Sequence, residues 1–210
     1  MEKGINREKS LELKDYLNDG YFTKHQWESY LFQINAVRKL VSLKEKVLEI
    51  GCGGGIVRAV LERTGYTVET LDVNENLRPT YIGDISQKTF ELINKYDCVI
   101  CAEVLEHISI ELFDICLNNI KMITQRYVLL TIPNCRSNKF EMELSINNHR
   151  KKFCFGKKIN EIAPMHYWEL NYEKKCTNDV ISEKIKQFFQ ILDEGVVMSN
   201  PYHYYYILRV

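Results

Sequence analysis

From Lys46 onward the chain alternates short apolar runs with longer stretches that are apolar on one side only. The runs "KVLEI", "YTVETLDV", "TYIGDI", "YDCVICAEV" and "RYVLLTIPN" read as strands. Between them "GIVRAVLERTG", "SQKTFELINK" and "SIELFDICLNNIKMI" carry helical spacing, the first closed by Gly65. Strands that are nearly continuous apolar runs, each followed by a helix, predict a parallel sheet covered on both faces. Ahead of this region, residues 5–43 read as two amphipathic helices forming a cover, broken at "NDGYFT". Asp19-Gly20 supplies the turn there and Thr23 the cap of the second helix, whose stripe is Tyr30, Ile34, Val37, Leu40 and Val41. The segment 134–176 is too long and too mixed for a simple connection, and reads as a cap inserted after the fifth strand. A last helix near 177–188 and two strands, "QILDEGV" and "YHYYYILRV", complete the sheet as an antiparallel hairpin. The expectation is one folding unit over 1–210.

Charge changes this picture little. Lys+Arg and Asp+Glu each count 28, so no global basic field draws the chain to nucleic acid or to an anionic membrane. There is no run of about eighteen apolar residues and no apolar leader, so the expected location is cytoplasmic, with no membrane partner. Seven cysteines, mostly in apolar contexts, fit reduced core thiols in that compartment. Cys98 and Cys101 have CxxC spacing, but a strand over "DCVIC" places them on opposite faces.

The chemistry begins at "VLEIGCGGG", where Glu49 precedes a loop of four glycines in five residues. Glycines let backbone approach a ligand and adopt positive φ, and the helix that follows points its amides at that ligand. A phosphate-binding loop would need Lys-Ser/Thr after the glycines, and a dinucleotide fingerprint would need glycine where Ile56 stands. What remains is ExGxGxG over Glu49, Gly51, Gly53 and Gly55, with Cys52 inside it. With Asp72 in "TLDVN", Asp84 in "IGDI" and the later "CAEVLEHI", this order resembles the class I S-adenosylmethionine-dependent methyltransferases, in their type 11-like branch, over about residues 46–134.

That resemblance implies a Rossmann-like seven-stranded sheet, S-adenosyl-L-methionine as cofactor, and a set of contacts. Asp72, beside Val73, would bind the ribose hydroxyls, and Asp84 the adenine amino group with Ile85 against the ring. Ala102 and Glu103 would approach the methionine portion, and Glu49 its amino end. A cofactor with a sulfonium, an ammonium and a ribose but no phosphate suits a site of acids and glycine amides.

Methyl transfer is chiefly alignment, with a base where the acceptor carries a proton. His107, after the fourth strand, and His166, in the cap motif "MHYWEL", are the candidates. Glu103, Glu106 and His107 at i, i+3 and i+4 would share a helical face and resemble the metal-binding set of some small-RNA and quinone-pathway methyltransferases. The same string occurs widely without metal, and no metal ligand is assigned. The basic cluster His149, Arg150, Lys151, Lys152, Lys157 and Lys158 is either a solvated loop or a grip for an anionic acceptor. A small-molecule acceptor methylated on oxygen or nitrogen is the first expectation. RNA, and a non-catalytic cofactor-binding protein of the same fold, are the alternatives.

Overall fold

The computed structural model describes residues 4–87, 95–146, 149–158 and 162–210, with backbone alone for 136–146 and 149–158. The predicted first helix is much shorter than its pattern. It consists of one short helix, α1 (Gly4–Glu8), and a separate 3-10 turn at Leu13–Tyr16. Ile5 packs against the core, and the Asn74 side chain donates to the carbonyls of Glu8 and Leu11, both at 2.8 Å. The segment is therefore shaped by what it lies against, and helix propensity loses to that docking.

Helix α2 (Lys24–Leu40) begins where expected, with Thr23 Oγ1 accepting from the Gln26 amide at 3.2 Å. Its Ile34 and Val37 are buried, each contributing about 1.5–3 kcal/mol of hydrophobic stabilisation. Seven strands follow in chain order as β1 (Lys46–Ile50), β2 (Thr67–Asp72), β3 (Tyr81–Ile82), β4 (Tyr96–Ala102), β5 (Thr124–Pro133), and, after an inserted two-stranded ribbon β6 (Arg136–Ile146) and β7 (His149–Lys158), β8 (Gln190–Val197) and β9 (Asn200–Arg209). Helices α3 (Ile56–Arg63), α4 (Phe113–Ile123) and α5 (Asn178–Lys186) link or flank them. The predicted helix "SQKTFELINK" falls largely on 88–94, outside the described residues.

The sheet order is β3-β2-β1-β4-β5-β9-β8, parallel throughout except where β9 runs against β5 and β8. This is the predicted α/β class with its C-terminal hairpin. One face of the sheet packs Cys98 and Ile100 against Val37 of α2 and Leu61 of α3. The other packs Val99 and Cys101 with Leu117 and Ile120 of α4 and with Ile181 and Ile185 of α5. Cys98 and Cys101 thus lie on opposite faces, and burial pushes the Cys98 thiol up to about 12, so it is an inert core group. Among the described residues no helix is long and apolar enough to cross a membrane.

Since β1 is flanked by β2 on one side and β4 on the other, the chain order reverses beside it. The carboxyl ends of β1 and β4 diverge there, which opens the crevice where open α/β sheets bind ligands. The glycine loop leaves β1 into that crevice. Gly51 adopts φ +74°, and a Cβ there would overlap Val104 Cγ2, on the turn that leaves β4. Left-handed backbone and overpacking together put the cost of Gly51→Ala at about 2–4 kcal/mol. Urea unfolding should show a lower midpoint with an unchanged slope. A wild-type midpoint would show that this close approach does not constrain the loop.

Candidate active site

A cavity of about 290 Å³ sits over the carboxyl ends of β1, β2 and β4, near the lower end of the roughly 300–1,000 Å³ usual for small-molecule sites. Every residue expected to touch the cofactor or to handle the proton lines it. On the β1 side these are Glu49, Gly51, Cys52, Gly53 and Gly55. From β2 and the short strand beyond come Asp72, Val73, Asp84 and Ile85. From the end of β4 and the cap come Ala102, Glu103, His107 and His166.

The acids on the loop side are held by backbone. Asp72 Oδ2 accepts from the Cys52 amide and Oδ1 from the Asn74 amide, both at 2.9 Å, so the carboxylate stitches the glycine loop to the end of β2. Burial raises Asp72, while the amides of Asn74 and Cys52 oppose the shift. Asp84 Oδ1 accepts from the Ser86 amide at 2.8 Å and from its hydroxyl at 2.6 Å, a local turn that fixes the carboxylate at the cavity edge. Glu49 is only 6% exposed and its Oε2 has no hydrogen-bond partner. Burial pushes its carboxyl up to about 8, so at neutral pH it is largely protonated. An orphaned buried carboxyl oxygen costs about 1–3 kcal/mol, which a donor or cation in the cavity would offset.

At the other end, the predicted helical face of Glu103, Glu106 and His107 does not form. Glu103 takes φ +56° at the end of β4, and only a single 3-10 turn, Leu105–His107, follows. The Glu103 side chain turns instead toward Thr131, whose hydroxyl donates to Oε1 at 2.8 Å, and toward His203 Nε2, 3.5 Å from Oε2. The place left in the trio is taken by His166. Glu106, His107 and His166 each offer one ligand atom, all within 4.8 Å of one another; Glu106 Oε2 and His107 Nδ1 are buried without a hydrogen-bond partner, the latter 3.6 Å from Glu8 Oε1. Two imidazoles and a carboxylate are a donor set that could hold a divalent cation. The His107 and His166 rings meet edge to face, their centroids 4.9 Å apart. Burial lowers His107 to about 4, so it is neutral at pH 7.

His166 Nδ1 bonds Glu169 Oε1 at 2.8 Å, and not the neighbouring indole. Trp168 is a core residue whose Nε1 donates to the carbonyls of Leu105 and Ile108, at 3.1 and 3.0 Å. Sequence reading missed several wall residues. Arg7 and Glu8 come from α1, and Tyr202 and His203 from β9. Tyr16, Tyr21 and Tyr30 of the N-terminal segment also line the cavity, whereas Phe22 is exposed. Arg7 is the one Lys or Arg among the described lining residues, against six acids. The side chains of the basic cluster at 149–158 lie outside the described residues.

With this geometry, comparison with known proteins is informative. A family model described as a methyltransferase domain matches residues 24–177, well over half of the chain. The ubiquinone biosynthesis O-methyltransferase of Rickettsia prowazekii (strain Madrid E) is 27% identical over 175 residues, covering 72% of this chain and 64% of that protein. Its counterpart in Rickettsia typhi is 29% identical over 125 residues, covering 54% of this chain and 46% of that protein. The chain thus spans about half to two thirds of the length of these curated relatives. Among solved structures, the N-methyltransferase NodS from Bradyrhizobium japonicum WM9 in complex with S-adenosyl-L-homocysteine superposes with TM-score 0.59 at 14% identity, covering 98% of this chain and 95% of that one. Magnesium protoporphyrin IX methyltransferase from Synechocystis PCC 6803 with S-adenosylhomocysteine bound gives 0.58 at 17% identity, covering 93% and 90%. At such identities the structures establish a shared fold.

Proposed function

The chain belongs to the methyltransferase-domain family, and from that premise we propose that it binds S-adenosylmethionine in this cavity and methylates an oxygen or nitrogen of a small-molecule acceptor. The observation that carries the reading is the convergence, in one cavity, of the glycine loop, the orphaned Glu49 carboxyl and the Asp72 and Asp84 carboxylates. These residues fit the cofactor: acids for an ammonium and ribose hydroxyls, glycines where backbone must come close, and little cationic lining of the kind a polyphosphate would need. When bound, S-adenosylmethionine supplies a methyl group on a positively charged sulfur.

The protein's part is placement and proton handling. Asp72 would accept from the ribose hydroxyls, Asp84 would take the adenine amino group with Ile85 against the ring, and Ala102 and Glu103 would border the methionine portion. Glu49 would face the ammonium. His166 would take the acceptor's proton, and the neutral His107 would pack against it. Tyr16, Tyr21 and Tyr30 would close the N-terminal side and exclude water. A small acceptor is supported by the modest volume of the cavity and by the ubiquinone-pathway names of the matched relatives. The RNA alternative draws no support from the described residues. A cytoplasmic location is supported by buried thiols such as Cys98 and Cys101.

Glu49 gives this reading a pH signature. Its folded-state pKa, about 8, lies above the ordinary carboxyl value, so the unliganded protein holds a proton there at pH 7. A cation beside it favours the carboxylate, so cofactor binding should release that proton and tighten as pH rises from 6 through about 8. Calorimetric titrations at pH 7 in buffers of different ionisation enthalpy should differ in heat, and Glu49→Gln should remove most of the difference. Buffer-independent heats in the wild type would refute the assignment.

The function itself is tested by incubating the protein and S-adenosylmethionine with a panel of phenols, amines and RNA, and reading S-adenosylhomocysteine release. Release dependent on one small-molecule class is expected. Binding without release across the panel would favour the non-catalytic alternative, and release on RNA alone would reverse the choice of acceptor.

A further inference from the structure

Glu169 stands behind His166, off the cavity wall, and is only 1% exposed. Three elements converge on its carboxylate. Oε1 accepts from His166 Nδ1 at 2.8 Å, from the Tyr202 hydroxyl on β9 at 2.8 Å and from the Ala163 amide at 3.0 Å. Oε2 accepts from Cys135 Sγ at 3.2 Å, just beyond β5. A backbone amide, a phenol and a thiol thus donate to the two oxygens of Glu169, a set of donors that suits an ionised carboxylate. An ionised carboxylate can only accept, so the nitrogen facing it must carry a proton. In a neutral imidazole the lone pair then belongs to Nε2. That atom lies 4.0 Å from Oε1 of Glu106, another residue of the cavity lining, while the His107 ring meets the imidazole edge to face.

We propose that Glu169 is the positioning residue of this site, fixing His166 in its Nδ1–H form so that Nε2 faces the cavity as the proton acceptor for the group being methylated. The inference rests on the methyltransferase reading and deepens it. As the acceptor oxygen or nitrogen bonds to the methyl carbon, the carbon–sulfur bond breaks and its electron pair goes to sulfur. The acceptor's proton passes to Nε2, giving an imidazolium paired with Glu169, and then to water. The carboxylate stays ionised throughout. Its two roles are to choose the tautomer and to stabilise the charged ring.

The tautomer can be read directly, without an acceptor. In the full chain labelled with ¹⁵N-histidine, two-bond ¹H–¹⁵N correlation spectra report which ring nitrogen carries the proton, and His166→Asn assigns the signal by its loss. The wild type should show His166 protonated at Nδ1 and bare at Nε2. Glu169→Gln, whose amide oxygen can take the same donors at Oε1, should retain that pattern. Glu169→Met, which offers no acceptor of comparable strength, should lose it in favour of Nε2–H. A wild-type ring protonated at Nε2 would overturn the proposal, as would a Glu169→Met ring that stays in the Nδ1–H form. Should Glu169→Met fail to fold, the wild-type spectrum still decides the tautomer. A wild type that binds no S-adenosylhomocysteine would instead defeat the cofactor reading, and would leave the tautomer result standing.

Discussion

Alanine in place of His166 is expected to lower turnover about 10²- to 10⁴-fold, the usual range for losing a general base, while S-adenosylhomocysteine affinity stays within about twofold. The split follows from where the ring sits. His166 lies at the cap end of the cavity with Glu106, His107 and Glu169, whereas the glycine loop and Asp72 occupy the β1 and β2 end. Truncation leaves Glu169 with three donors, from Tyr202, Ala163 and Cys135, so the local structure should hold. Initial rates on the acceptor found by the release screen, paired with calorimetry, check both halves. Equal losses of rate and affinity would place His166 at the cofactor and not at the acceptor.

Asp72→Ala is the second large effect, and it should fall on affinity. Two charge-assisted hydrogen bonds to ribose hydroxyls, at about 1.5–3 kcal/mol each, correspond to a loss on the order of 100-fold or more. The same carboxylate ties the Cys52 amide to the Asn74 amide, and the Asn74 side chain in turn holds the carbonyls of Glu8 and Leu11. The substitution therefore slackens the N-terminal segment over the cavity as well, and the melting temperature should fall modestly. Calorimetric affinity close to wild type would contradict the ribose role.

The centre of the sheet was legible because β1, β2, β4 and β5 are buried along most of their length and so read as nearly continuous apolar runs. The hairpin of β8 and β9 was legible from two extended, β-branched and aromatic-rich stretches with only a short turn between them. The cofactor side was legible for a related reason: Glu49, the glycines, Asp72 and Asp84 sit at strand ends, where strand order alone brings them together. The acceptor side was not. Glu103, Glu106 and His107 fit a helical face by spacing, but a left-handed residue at the end of β4 and a single 3-10 turn replace the helix. Glu169 could be seen only as an acid three positions after His166. Its role depends on Tyr202 arriving from the far end of the chain and Cys135 from the end of β5, which no local period encodes. The first helix failed for the converse reason, because contacts made elsewhere, the bonds from the Asn74 side chain and the packing of Ile5 on the core, are not written in its own periodicity.

The central claim is that the cavity over β1, β2 and β4 is built for a phosphate-free cationic cofactor. Calorimetric titration of the purified full chain with S-adenosylmethionine, and in parallel with NADH, tests it most directly. Saturable one-to-one binding of S-adenosylmethionine, lost in Asp72→Ala, with no heat from NADH, is the expected result. Binding of NADH in preference to S-adenosylmethionine, or S-adenosylmethionine heat unchanged by Asp72→Ala, would contradict it.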